Sequence, residues 1–194
     1  MQRIYTLRKS AFADGEPVLR EKSFEKLIQV AKELQPQNIL EIGVNRGLSG
    51  IAMLLVCPNA KLSGIEIDED KIKIAKANYQ DFNLSNRAKI FQGDASQIIP
   101  ILTGKYDLIF LDGPKGHYFE YLPHLLEVLN KNGVLFADNV LFRGYVGSKE
   151  KTPHRYNTTK NSMENFLNAI TNDKKLKTQI LDVEDGISIT EKLV

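Results

Sequence analysis

The sequence predicts an α/β fold, a mainly parallel sheet closed by a C-terminal antiparallel hairpin and covered by helices on both faces. Three observations carry this reading. Short apolar runs alternate with segments of helical spacing from Ser23 to Ala137. Breakers such as Pro36, Gly43, Pro58 and Gly93 stand where one kind of segment gives way to the other. Beyond Asp138 the pattern changes, and Glu184-Asp185-Gly186 separates two final strand-like runs as a hairpin turn would.

The elements follow in order. Residues 1–22 form an N-terminal arm. Ser23–Leu34 places Phe24, Leu27, Ile28, Ala31 and Leu34 on one helical face, with Ser23 as the expected N-cap. The strand Asn38–Ile42 stops at Gly43, and the helix after it runs to Cys57. Lys61–Ile67, Ala88–Phe91, Tyr106–Leu111 and Val134–Ala137 read as further strands. Between them Asp70–Phe82, Ser96–Leu102 and Tyr118–Leu129 read as helices. Residues 139–160 are polar and read as a loop, Thr159–Thr171 as a helix, and Lys177–Val183 with Ile187–Glu191 as the closing hairpin. That makes seven strands. With no internal repeat and no linker, residues 1–194 form a single domain.

Composition narrows the function. With 42% hydrophobic and 26% charged residues, the chain can bury a core. One cysteine, Cys57, excludes a disulfide framework and a cysteine-based zinc site. The opening residues lack a signal-peptide core and no apolar run is long enough to span a bilayer, so the expectation is a cytoplasmic protein without a membrane partner. A net charge of +2 carries no polybasic signature.

The first strand–turn–helix unit reads Glu41-Ile42-Gly43-Val44-Asn45-Arg46-Gly47-Leu48-Ser49-Gly50. Gly43 would let backbone approach a ligand, Gly47 would allow a tight turn, and the helix start offers N–H groups to an anion. Glu66 follows Gly43 by 23 residues, where an acid grips ribose hydroxyls in nucleotide-binding sheets. Asn45 breaks the dinucleotide fingerprint. An ordinary strand-to-helix turn remains the alternative. Two later strands end in Asp112-Gly113-Pro114-Lys115 and in Asp138-Asn139, on the edge of a parallel sheet where ligands gather. Two carboxylates and an amide oxygen suit Mg²⁺ or another hard divalent cation; Asp-Gly and Asp-Asn are also common turn formers.

The spacing Glu41-x-Gly43-x-x-x-Gly47, followed by Asp112, Lys115, Asp138 and Asn139, resembles the class I methyltransferases that use S-adenosylmethionine, and within them the metal-dependent O-methyltransferases of the catechol and caffeoyl-CoA group. The resemblance covers roughly Ser23 to the C-terminus and implies a Rossmann-like methyltransferase sheet. It implies Asp112, Asp138 and Asn139 as metal ligands and Lys115, with Asp112, as the catalytic residues. By the same carry-over Glu41, Gly43, Asn45, Ser49, Glu66, Ile67, Asp94, Ala95 and Asp112 would line the S-adenosylmethionine site, with Asp94-Ala95 near the adenine. His117 matches no catalytic position. The reaction implied is transfer of a methyl group to a hydroxyl oxygen ionised by the cation, with Lys115 as general base.

Within that group, Lys115-Gly116-x-Tyr118, the run from Asp138 to Gly144 and Asp185-Gly186-Ile187-Ser188-Ile189 resemble bacterial enzymes that methylate 5-hydroxyuridine in the tRNA anticodon loop. The 5-hydroxyl and 4-oxo groups of that base can chelate a metal as a catechol does. Tyr118, Arg143 and Arg155 become the expected substrate contacts. Residues 143–160 carry a net +4 and the remaining chain −2, so this stretch could hold a phosphate backbone, or could be a solvated loop. Tyr145, His154 or Tyr156 could stack on a splayed base. The competing expectations are a small catechol-like or hydroxycinnamoyl substrate, and a non-catalytic nucleotide-binding module. A homodimer is compatible with the sequence.

Overall fold

The first strand and its neighbours fix the site, and helices separate them as the alternation described above implies. The computed structural model describes residues 1–148 and 152–194. In chain order its elements are α1 (Gln2–Ala13), α2 (Glu21–Leu34), β1 (Asn38–Ile42), α3 (Leu48–Val56), β2 (Lys61–Glu66), α4 (Glu69–Asp81) and β3 (Ala88–Gln92). There follow α5 (Ala95–Ile98), β4 (Tyr106–Leu111), α6 (Tyr118–Val128), β5 (Leu129–Asp138), α7 (Asn157–Asn172), β6 (Leu176–Leu181) and β7 (Ile187–Lys192).

The seven strands form one sheet in the order β3-β2-β1-β4-β5-β7-β6. The first five are parallel, and β7 lies antiparallel between β5 and β6. The sheet reverses direction of winding at β1 and β4, which are paired from Ile39↔Leu108 to Ile42↔Leu111. Such a switch point opens a crevice beyond the strands' carboxyl ends. Asp107 pins the other end, accepting from the N–H groups of Gln37 and Asn38 at 2.9 Å and from Asn130 at 2.7 Å.

Each central strand is buried on both faces, so its residues alternate between two cores. In β4, Leu108 and Phe110 face the layer under α1–α4, while Ile109 and Leu111 face the layer under α5–α7. Burying one such side chain is worth ~1.5–3 kcal/mol. The same period of two sends Ile39 of β1 to the first layer and Leu40 and Ile42 to the second. Glu41, which follows that period, goes under α3 with Ile39.

Three expectations need correction. The N-terminal arm contains a helix, α1, whose buried stripe is Ile4, Arg8 and Ala11; a charged residue in the apolar register masked it in the sequence. Ser23 does not cap α2. The helix starts at Glu21, and its free N–H groups of Lys22 and Ser23 donate to the Glu184 carboxylate at 3.2 and 3.0 Å, a cap supplied from the β6–β7 turn. The stretch after Asp138 is a loop only in part: a 3₁₀ turn at His154–Tyr156 leads straight into α7 at Asn157. Lys149, Glu150 and Lys151, half of the charges behind the +4, lie outside the described residues. Among the described residues no helix is long and apolar enough to cross a membrane.

Candidate active site

The carboxyl ends of β1, β2, β4 and β5 border a cleft of about 740 Å³. Gly43, Glu66, Asp112, Lys115, Asp138 and Asn139 line its floor, and Pro17–Arg20 form the opposite wall. A smaller pocket of about 160 Å³ adjoins it through Gly43, Glu66 and Ile67, and is walled by Asp94, Ala95, Pro114, His117 and Tyr121. A recess of about 40 Å³ containing Ser49 adjoins it through Gly43, Asn45 and Asp112.

Gly43 lets two strand ends meet at the cleft. Its φ is +89°, and a Cβ there would lie 2.2 Å from the Asp112 carbonyl oxygen, so the two strand ends approach because this residue has no side chain. Glu66 is fixed on both oxygens: Oε2 accepts from Asn45 N–H at 2.8 Å, and Oε1 from Ile67 and Asp68 N–H at 2.9 and 3.0 Å. Its remaining lone pairs face the junction of the cleft and the smaller pocket, where a diol could be held. Asn45 adopts φ +49°, and its Nδ2 donates to Pro17 O at 2.7 Å, tying the wall to the glycine turn. Glu16 strengthens this tie through Arg46 at 3.5 Å and through Lys71.

Asp112 and Asp138 lie on neighbouring strand ends. Asp138 is 3% exposed, and burial, reinforced by the Asp112 charge, pushes its carboxyl up to about 7. Lys115 Nζ donates to Asp112 Oδ1 at 2.7 Å. Burial alone would lower the lysine, but Tyr118 and Asp112 outweigh it and hold the ammonium form well above its ordinary range. Asn139, at φ +56°, ends β5 in a left-handed turn and brings its amide to the same cleft. Among the described residues no three His, Cys, Asp or Glu side chains gather as a metal cluster; the oxygen set here is two carboxylates and an amide.

Three expected site residues are placed elsewhere. Glu41 is 1% exposed and reaches none of these cavities, because the strand period turns it beneath α3. There its Oε2 and the Tyr79 hydroxyl are both buried without a hydrogen-bond partner, around the space that a Cβ on Gly50 would fill. Burial, with Asp112 nearby, raises its carboxyl well above the usual range. Tyr118 is fully buried under the site. Its hydroxyl donates to Leu111 O at 2.9 Å and lies 3.3 Å from Asp138 O, so it stitches together the strand ends that carry the acids rather than meeting a substrate. Arg155 is outside the cleft and lies over the Tyr156 ring at 4.7 Å.

Arg143 does line the cleft. Its Nη1 donates to the Tyr156 hydroxyl at 3.0 Å, and its backbone N–H donates to Asp185. Phe142, Tyr145 and Tyr156 form an aromatic cluster at this rim, with centroids 5.6–6.0 Å apart. Sequence reasoning missed the Pro17–Arg20 wall and the His117–Tyr121 pair, stacked at 5.7 Å beside Asp94. His117 sits inside the Lys115-Gly116-x-Tyr118 motif but as its unassigned position, and only the three-dimensional path of the arm brings the wall over the cleft.

Comparison with known proteins gives the family and the fold. A family model described as O-methyltransferase matches residues 17–193. The catechol O-methyltransferase of Niastella koreensis is 33% identical over 133 residues, 66% of this chain and 60% of its own length. Tricin synthase 2 of Oryza sativa is 28% identical over 167 residues, 81% of this chain and 57% of its own. The chain thus spans less than two thirds of the length of both relatives. Among solved structures, the SAH-bound methyltransferase PaMTH1 of Podospora anserina superposes with a TM-score of 0.85 at 23% identity, covering 99% of this chain and 87% of that one. The Bacillus cereus O-methyltransferase in complex with SAH gives 0.85 at 20%, covering 99% and 91%. These superpositions show a shared fold, with the mixed sheet and antiparallel C-terminal strands described above. By the match over residues 17–193, the chain belongs to the O-methyltransferase family.

Proposed function

We propose that this protein transfers a methyl group from S-adenosylmethionine to a ring hydroxyl flanked by a second oxygen, with Asp112, Asp138 and Asn139 holding a divalent cation. One observation carries the reading: these three oxygen donors and Lys115 converge on one cleft. The donors are all hard, with no His or Cys among them, which suits Mg²⁺. Lys115 compensates the Asp112 charge, and Asp138, its carboxyl pushed up to about 7 by burial, is about half-ionised at pH 7, so a divalent cation would bind there by displacing protons. A cation bound there would polarise the substrate oxygens and favour the ionised hydroxyl.

The chain's own residues supply the rest. Glu66 is preorganised for the ribose diol, and the pocket beside Asp94 and Ala95 suits the adenine. Val18 and Leu19 on the opposite wall restrict water at the cleft. Lys115 holds its proton while Asp112 remains its ion-pair partner. A cation held by Asp112 would weaken that ion pair and lower the lysine's proton affinity, in the direction burial already favours, which would let Nζ act as base toward the substrate hydroxyl.

For the substrate we favour 5-hydroxyuridine in a tRNA anticodon loop. The aromatic cluster at 142, 145 and 156 offers a stacking platform beside the donors, and Arg143 and Arg155 flank Tyr156 at 5.2 and 4.7 Å, where a phosphate backbone could run. A small catechol-like substrate is the second reading, favoured by Phe142, an aromatic ring that lines the cleft itself. Nucleoside mass spectrometry of tRNA from cells lacking the gene distinguishes them. Accumulated 5-hydroxyuridine with missing 5-methoxyuridine supports the tRNA reading; an unchanged profile, with catechol methylated in vitro, supports the second.

A further inference from the structure

We propose that Arg8, on α1, binds the α-carboxylate of the methionine portion of S-adenosylmethionine; this rests on the cofactor reading above. Arg8 is 5% exposed, and its guanidinium lies 3.5 Å above the Phe24 ring centroid. Nη2 donates to Leu19 O at 2.7 Å, but Nε and Nη1 are buried with no partner. A buried charged donor without an acceptor is costly, and such groups generally mark a missing ligand or ion.

Arg8 borders two cavities, one of about 540 Å³ with Tyr5, Phe12, Glu21 and Glu184, and a small recess that alone of the two reaches the glycine turn and Asp112. Arg8 lines the recess that holds Gly43, Asn45 and Ser49 at the turn into α3, with Asp112 on its border. One boundary therefore offers a guanidinium and unused helix N–H groups, and another a carboxylate. That pair complements a zwitterionic amino-acid head group: its carboxylate at Arg8 and the α3 start, its ammonium toward Asp112. At about 40 Å³ the recess suits a head group and excludes a ring. Glu21 and Glu184 are the nearest acids to Arg8. Neither bonds it, and Glu184 is engaged with α2. Arg8 lies on α1, outside residues 17–193 that the family model matches.

The test is a ligand–variant cycle read by calorimetry, with wild type, R8M and R8K titrated with S-adenosylhomocysteine, its decarboxylated analogue and 5′-methylthioadenosine. Wild type is expected to bind S-adenosylhomocysteine about 10–100-fold more tightly than the decarboxylated analogue, the range of a charge-assisted hydrogen bond. R8M should lose that preference while binding the decarboxylated analogue within about twofold of wild type, and R8K should fall between. Equal losses for both ligands, or no loss, overturn the assignment and leave Arg8 as a packing residue. Should R8M fail to fold, the Arg8 Nε–H resonance of wild type decides: it should shift with S-adenosylhomocysteine and stay in place with the decarboxylated analogue. Wild type that binds none of the three overturns the cofactor reading itself. Binding of all three without discrimination overturns only the role of Arg8.

Discussion

Glu41 and Asp138 are both buried acids, yet their surroundings give them different work. Glu41 has no cationic partner and faces Tyr79, so it is held in its protonated form. A carboxyl whose native pKa is raised stabilises the fold only while it keeps its proton; that contribution is lost as pH climbs above the unfolded value. E41Q should therefore raise Tm at pH 8, change it little near pH 4, and leave the affinity for S-adenosylhomocysteine within about twofold. Thermal denaturation across pH with parallel calorimetry checks both. Asp138 has the same sign, with its window running from the ordinary carboxylate range up to about 7. A divalent cation must displace its proton below that point. Mg²⁺ affinity should weaken roughly fivefold between pH 7 and pH 6 and level off above 8. In D138N, Mg²⁺ should no longer raise Tm. A flat affinity across that range would contradict the assigned ligand.

At the scale of elements, α2 depends on a cap that its own sequence does not contain. Glu184 supplies a carboxylate to the helix N-terminus, where both the hydrogen bonds and the helix dipole favour negative charge. E184A should cost about 1–2 kcal/mol in denaturant unfolding, with E184Q recovering part of it. This explains why Ser23 was a misleading start signal. Strand ends were easier to read, since Asp112, Asp138 and Asn139 each directly follow a run of buried apolar residues. The side of the strand was not read for Glu41, although Ile39 two residues earlier already faces the α1–α4 layer. Tyr118 misled for a related reason. The motif drew it toward the substrate, whereas the first turn of α6 turns its ring into the core, edge-on to Phe166 at 5.5 Å. Y118F should loosen the β4–β5 ends and lower turnover more than it lowers cofactor affinity, as kcat against Kd would record.

For the whole molecule, stability and binding are distributed unevenly. The two cores meet across β1, β4 and β5, which are buried on both faces, while α1 sits at the periphery with Phe12 73% exposed. Hydrogen exchange should find the slowest amides in those three strands and the fastest helical amides in α1. Addition of S-adenosylhomocysteine should slow exchange in residues 14–20 more than in the β6–β7 turn. The seven strands and their mainly parallel sense were legible because each parallel crossover needs its helix, and the alternation records every one; their order in the sheet was not. The wall over the cleft was not, since its position depends on Asn45, Glu16 and Arg8 meeting groups far away in the chain.

The bond from Glu184 to the start of α2 also sets an order of events. Lys22 and Ser23 leave the ribosome some 160 residues before the carboxylate that caps them. Until the β6–β7 turn has been synthesised, α2 begins without its cap and β5 lacks its antiparallel neighbour. The adjoining segment 14–20 then leads into a helix whose first turn is not yet held. A nascent chain stopped before Glu184 should therefore fail to retain S-adenosylhomocysteine, although every residue of the cleft except Asp185 has already been made.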